Sequence, residues 1–228
     1  DALWHIGRVR PEQVLAPIYG SAWRYRHRAR LSVREVAKKG TVLVGFHEKR
    51  SSFIADMKSC EILPKRVSDL LVPLRELINS LSLRKKLPQI ELAVTDEALA
   101  LVLRVLEKLT ADDEAKLRQF QKDYGVDFWY QPKGPDSIYP MDPENATRLK
   151  LHHRETGVEV VFRPTDFTQV NHRLNEVMVT RALRLLHLEP SSKVIDFFCG
   201  LGNFTLPLAT RSAKVLGIEG STELVDRA

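Results

Sequence analysis

Cysteine is scarce in this sequence: 228 residues carry two, Cys60 and Cys199. Two thiols so far apart make no disulfide framework, which excludes the small stapled folds of secreted domains. Long apolar runs are missing too. ALALVL at 98–103 stands between Glu97 and Arg104, far short of the ~20 apolar residues that a membrane-spanning helix needs. No basic stretch followed by an apolar one opens the chain, so a secretory leader is not expected. Internal repeats and low-complexity tracts are also lacking, which excludes a solenoid and a largely disordered chain. These absences leave a cytoplasmic globular protein with no membrane segment, expected to be monomeric. Its 43% hydrophobic and 28% charged residues agree with that class. A chain of this length buries one large core or two modest ones. Asp1 stands where a methionine would open a nascent chain, and the expectation is a piece trimmed from a longer protein.

What is present is positive charge, unevenly placed. The net charge is +6. Residues 1–60 hold twelve Lys and Arg against five Asp and Glu, an excess of seven, and the remainder stands at −1. Crowding the excess into one quarter of the chain favours a surface that faces nucleic acid. The segment WRYRHRARLSVR at 23–34 sharpens this, because it alternates with period two. Tyr25, His27, Ala29, Leu31 and Val33 take one face, and Arg24, Arg26, Arg28, Arg30 and Arg34 take the other. A strand is expected there, with Arg24, Arg26, Arg28 and Arg30 as RNA-binding residues on a face that carries no acid of its own. Arginine pairs with phosphates and stacks on unpaired bases. The bland reading of the same pattern is the polar outer face of an antiparallel sheet.

The rest of the first 163 residues predicts a mixed α+β unit. A returning strand is expected at 41–47 after the KKGT turn, and a short one at 53–56. Apolar spacing predicts a helix over 65–82, then strands at 90–95 and 98–105. Thr110 is a good N-cap, with Asp113 three residues on, for a helix to about Tyr124. A strand at 126–131, a proline-rich loop and a hairpin at 147–162 turning at Glu155-Thr156-Gly157 follow. From Pro164 the character changes. A helix at 172–187, a strand at 193–198, a helix from 204, a strand at 213–219 and a helix from 221 predict the opening of a doubly wound, Rossmann-like α/β domain over 164–228. Two strands do not complete such a domain.

VIDFFCGLGNF at 194–204 is the most specific local signal. An apolar strand ends near Asp196, and a turn with Gly200 and Gly202 leads into a helix. Glycine lets backbone approach a ligand, and a helix start favours polar ligand atoms. Glu219 ends the next strand, nineteen residues after Gly200, where a carboxylate can accept from ribose hydroxyls. Thr205 stands where a dinucleotide fingerprint needs its third glycine. That favours S-adenosylmethionine over a nicotinamide cofactor.

These segments, with YRHRARLSVR, VGFHEKRSS, MKSCEILP, RPTDFTQVNHRLNEVMV and LGIEGSTELV, occur in the order of the uracil-5 RNA methyltransferases. The sequence resembles that family over about residues 22–228, with greatest likeness to bacterial members acting on 23S ribosomal RNA. The resemblance implies that 164–228 begins a class I methyltransferase domain using S-adenosylmethionine. It implies cofactor contacts for Gln169, Phe198, Gly200, Asn203 and Glu219, and for Asp196 a role supporting the turn or the methionine amino group. Taken alone, Gln169 is more often a polar residue at a helix entry. The nucleophilic cysteine and the general base are expected beyond Ala228.

The resemblance also makes Cys60, in MKSCEILP, one thiolate of a 4Fe–4S cluster in the full-length protein. The other three ligands belong to a segment this chain lacks, so no cluster is expected here. Cys199 is expected to be a packed residue. His152 and His153 alternate across a strand and cannot face one metal. Two other readings stay open: an RNA-binding module with a vestigial cofactor turn, and a methyltransferase acting on a small molecule or a protein.

Overall fold

The computed structural model describes residues 2–228. A short helix α1 (Ala2–His5) precedes an irregular strap, and strand β1 (Arg28–Val36) then pairs antiparallel with β2 (Thr41–Gly45). The alternation works as expected from residue 28 onward. Ala29, Leu31 and Val33 enter the core, while Arg30 and Arg34 stay exposed. It fails over 23–27, which are not strand. Arg24 has φ +60°, and its N–H donates to Glu61 O, so the chain turns where the pattern predicts extension.

The expected helix over 65–82 is two, α2 (Lys65–Ser68) and α3 (Leu71–Ser80). Pro73 has no N–H for the carbonyl of Asp69, so the first turn of α3 is where a proline fits and a continuous helix does not. The expected strand at 53–56 is reduced to a single bridge, His47 to Ile54. Strands β3 (Gln89–Val94) and β4 (Leu99–Arg104) follow, then α4 (Ala111–Tyr124), β5 (Asp127–Gln131) and the two-residue β6 (Tyr139–Pro140). Thr110 and Asp113 form a reciprocal capping box, and Gly125 closes α4 in the left-handed region.

The six strands make one sheet in the order β2-β1-β3-β4-β5-β6. Only β4 and β5 run parallel, because α4 is long enough to carry the chain back across the sheet. Leu71, Leu74 and Ile78 of α3, with Leu117 and Phe120 of α4, seal one face over Leu31, Ile90, Leu92, Leu101 and Phe128. The other face carries small residues, Ala93 and Ala100, and they admit a second layer.

That layer is the hairpin β7 (Leu149–His153) and β8 (Val158–Phe162), which turns with Gly157 at φ +69°. Leu149, Leu151, Val160 and Phe162 share a cluster with Ala93, Ala98 and Ala100 on one side and Leu201 on the other. The hairpin therefore packs on both sides of the expected boundary at 163/164. Beyond it come α5 (His172–Leu185), β9 (Lys193–Phe197), α6 (Thr205–Ala209), β10 (Lys214–Ile218) and α7 (Thr222–Arg227). Strands β9 and β10 are parallel, the expected start of an α/β sheet. Val179 and Leu183 of α5 and Leu208 of α6 pack with Val194 and Val215 on one side of the pair. The other side leaves Ile195, Phe197, Leu216 and Ile218 exposed. Among the described residues no helix is long and apolar enough to cross a membrane.

Candidate cofactor site

A cleft of about 170 Å³ opens where β9 ends. Its walls include Gln169, Asp196, Phe198, Gly200 and Asn203, five of the six cofactor residues expected from the sequence. The strand carries Asp196 to the rim, and Thr205 donates its hydroxyl to the carboxylate at 2.6 Å, tying the strand end to α6. The chain then reverses. Phe198 adopts φ +61°, a region costing a side-chain-bearing residue roughly 1–2 kcal/mol. This leaves Phe198 almost wholly in solvent at the cleft mouth, with the less bare but still exposed Phe167 on the same lining. Gly202 has φ +87°, and a Cβ there would stand 2.9 Å from Leu206, so the turn tolerates no side chain.

Glu219, the sixth residue, lies behind the turn. Its carboxylate accepts from the N–H of Gly200 at 3.0 Å and from that of Ser221 at 3.1 Å. These bonds from Ser221 and Gly200 hold its pKa below the ordinary carboxylate value, against a smaller effect of desolvation. Each oxygen keeps a lone pair for a further donor. The carboxylate thus fixes the turn and stays charged.

One residue the sequence did not single out supports the site. Asn175 is buried on α5 and exchanges amide hydrogen bonds with Asn203. Its signal was available: Asn175, Val179 and Leu183 fall on one helix stripe, and a polar residue facing a core needs a partner. His153 is buried next to this pair, with no hydrogen-bond partner on either ring nitrogen. Burial pushes its pKa down, while the neighbouring Asn203 amide works in the opposite sense.

Cys199 is half-buried in the turn and also lines the cleft, with its Sγ against Gly217. A Cβ on Gly217 would come within 2.8 Å of its Sγ, so the thiol fills the space that this glycine leaves. Cys60 lies far from it in the fold, half-buried against the central core, its N–H donating to Ser68 Oγ. One cysteine at that place does not hold a cluster, and among the described residues no three His, Cys, Asp or Glu side chains gather as a metal site. His152 turns outward to Glu97 and Glu159 while His153 turns inward, as the alternation requires.

The arginines do not form the acid-free face that β1 alone suggests. Glu91 of the neighbouring β3, 5% exposed, pairs with Arg30 at 2.6 Å and with Arg28 at 3.7 Å. Arg28 also donates to Thr165 O. Arg24 bonds Glu61 and the carbonyls of Cys60 and Leu63, and Arg26 donates to Arg28 O. Pairing across the sheet supplies the charge balance that one strand's sequence does not display.

A family model described as tRNA (uracil-5-)-methyltransferase matches residues 14–228. The chain belongs to this family. It is 57% identical over 228 residues to the 23S rRNA (uracil(1939)-C(5))-methyltransferase RlmD of Ralstonia pickettii, covering all of this chain and 50% of that protein. It is 58% identical to the protein of the same name from Cupriavidus necator, covering 52% of it. The chain thus spans about half the length of the curated relatives it matches. Its fold is similar to that of the Pyrococcus abyssi tRNA (uracil-54, C5)-methyltransferase, whose structure is a complex with S-adenosyl-L-homocysteine. The TM-score is 0.65 at 18% identity, over 91% of this chain and 53% of that one. The chain therefore has the mixed α+β fold with the start of a class I methyltransferase domain that this neighbour also shows.

Proposed function

We propose that this chain is the cofactor-turn portion of an S-adenosylmethionine-dependent enzyme that methylates carbon 5 of a uracil in 23S ribosomal RNA. The observation that carries the proposal is the link from Glu219 to the Gly200 N–H, beside a cleft lined by Gln169, Asp196, Phe198 and Asn203. A strand-end carboxylate anchored to a glycine turn sets ribose-hydroxyl acceptors next to exposed aromatic surface. In this reading Glu219 accepts from the ribose, and Phe198 and Gln169 line the remainder of the ligand. Asp196, already holding Thr205, orients the turn or receives the methionine ammonium. Asn203 keeps the turn closed through Asn175.

When bound, S-adenosylmethionine supplies an electrophilic methyl group on a sulfonium. Carbon 5 of a neutral uracil is a poor nucleophile, and a thiolate adding at carbon 6 would activate it. We assign that task to neither cysteine of this chain: Cys60 packs on the central core, and Cys199, although it lines the cleft, fills the space beside Gly217 in the cofactor turn. For the longer protein we propose Cys60 as one of the thiolates of a 4Fe–4S cluster, on the strength of the MKSCEILP segment. Arg26 and Arg30 are proposed RNA contacts, with Arg24 and Arg28 placed beside them by bonds to the protein.

Tritiated methyl transfer to unmodified ribosomal RNA tests the function, with this 228-residue chain and the full-length protein assayed together. Incorporation by the full-length protein alone is expected. Stoichiometric transfer by the isolated chain would overturn the assignment of Cys199, and none by the full-length protein would favour an RNA-binding module with a vestigial turn.

A further inference from the structure

A second concavity, of about 370 Å³, lies where the strap before β1, the start of α2, the β3–β4 turn and the start of α5 meet. Its lining holds an exposed indole, Trp23, and four cations, Arg24, Lys65, Arg66 and Arg173, against one acid, Asp96. The cations differ in state. Arg24 is tied to Glu61 at 2.7 Å and Lys65 to Asp69 at 2.5 Å. Arg66 and Arg173 are exposed, and neither makes an ion pair or a side-chain hydrogen bond among the described residues. Asp96 pairs with Arg154 at 3.5 Å, and its charge also acts on Arg66 without an ion-pair contact. The backbone that carries the indole is fixed before any ligand arrives. Ser21 Oγ donates to Trp23 O at 2.6 Å and accepts from Trp23 N–H, fixing the backbone that presents it.

An aromatic face flanked by unpaired guanidinium groups is the combination that binds a single nucleic-acid strand: the ring stacks on a base, and the cations take the phosphates. A purely acidic peptide would use the cations and leave the indole without a role. The position also matters. Gln169 lines the cofactor cleft, and Arg173, four residues further, lines this groove, so one short segment borders both. We propose that the groove holds an unpaired stretch of RNA, one base on Trp23 and flanking phosphates on Arg66 and Arg173, leading toward the cofactor cleft. The choice of RNA over another polyanion rests on the function proposed above; the groove itself does not.

The test is fluorescence anisotropy of a labelled single-stranded oligouridylate with the full-length protein, as a function of salt. Arg66→Ala with Arg173→Ala is expected to weaken binding at least tenfold and to lower the slope of log K against log salt by about 1.4, two single-strand phosphates' worth. Trp23→Ala is expected to weaken binding about tenfold with an unchanged slope. All three side chains are exposed, so the variants keep the fold. Unchanged affinity in every variant would overturn the proposal. So would an oligoglutamate peptide that displaces the RNA as well as unlabelled RNA does, since that assigns the groove to an acidic protein. Affinity lost in the variants supports the groove whether or not the unsubstituted protein transfers methyl groups. Methyl transfer with undiminished RNA affinity in the variants overturns the groove and leaves the function standing.

Discussion

Asn175 and Asn203 each donate a side-chain amide hydrogen to the other's carbonyl, at 2.8 and 3.0 Å, and so tie helix α5 to the glycine turn. One amide uses its donor and acceptor on the other, which leaves the turn a fixed distance from the segment carrying Gln169. Removing one partner strands the other. Asn175→Ala is expected to lower stability by about 1–3 kcal/mol and to weaken S-adenosylmethionine binding as the turn loosens. A double-mutant cycle with Asn203→Ala should show coupling of about 1 kcal/mol in denaturant unfolding. Strict additivity would mean that the pair is not the link.

Glu219, half-buried and bonded to the Gly200 and Ser221 N–H groups, is expected to matter both to the ligand and to the turn it anchors. Glu219→Ala in the full-length protein should weaken S-adenosylmethionine binding on the order of tenfold, the effect of losing charge-assisted hydrogen bonds. Since Ser221 and Gly200 hold its pKa below the ordinary 4.5, affinity should stay level as pH falls toward that value and decline only beneath it. Calorimetry at pH 7 with no change in affinity would remove Glu219 from the site.

His172 supplies a pH response. Its ring stacks on His27 at 4.5 Å and meets Phe162 edge-on. Burial, helped by the neighbouring His27, pushes its pKa from 6.5 to about 4. The folded pKa lies below the unfolded one, so the unfolded chain binds the proton first. Stability is then full above pH 6.5 and falls as pH drops toward 4, by roughly 3 kcal/mol in all. Urea unfolding across that range should show the loss, and His172→Phe should reduce it. His153, lowered for the same reason, keeps some slope in the variant. An identical profile for both proteins would refute the account.

Cys199 and Gly217 make a packing pair. Gly217→Ala pushes a methyl group against Sγ and is expected to destabilise by about 1–2 kcal/mol. Cys199→Ala should restore most of that loss and leave methyl transfer intact in the full-length protein. Abolished transfer in Cys199→Ala would make the thiol a participant in the chemistry.

How much of this was legible in the sequence depends on how local each signal is. Helix α4 is marked at both ends, by Thr110 with Asp113 and by Gly125, and the structure places it where those residues say. The β9–turn–α6–β10 order was equally plain, since apolar period and glycines agree with each other. Residues 23–27 misled because period two continues into a segment whose backbone bends at Arg24. That bend depends on hydrogen bonds to Glu61 and Ile62, which no local pattern reveals. Glu91 escaped notice for the same reason: it is far in sequence from the arginines it neutralises. In the site itself, five of six expected residues share the cleft, while Asn175 was missed although it is a polar residue on an otherwise apolar helix stripe.

The buried side chains are unevenly shared. The central sheet and helices α3 and α4 pool one extensive core, whereas α5, α6, β9 and β10 meet over little more than Val179, Leu183 and Leu208. Amide protons of β9 and β10 should therefore exchange with solvent through partial opening, long before those of β3 and β4. A ligand that spans Gln169 and Glu219 bridges the parts that open. It would slow that exchange by mass action, so that cofactor occupancy can be followed from protection of β9 alone.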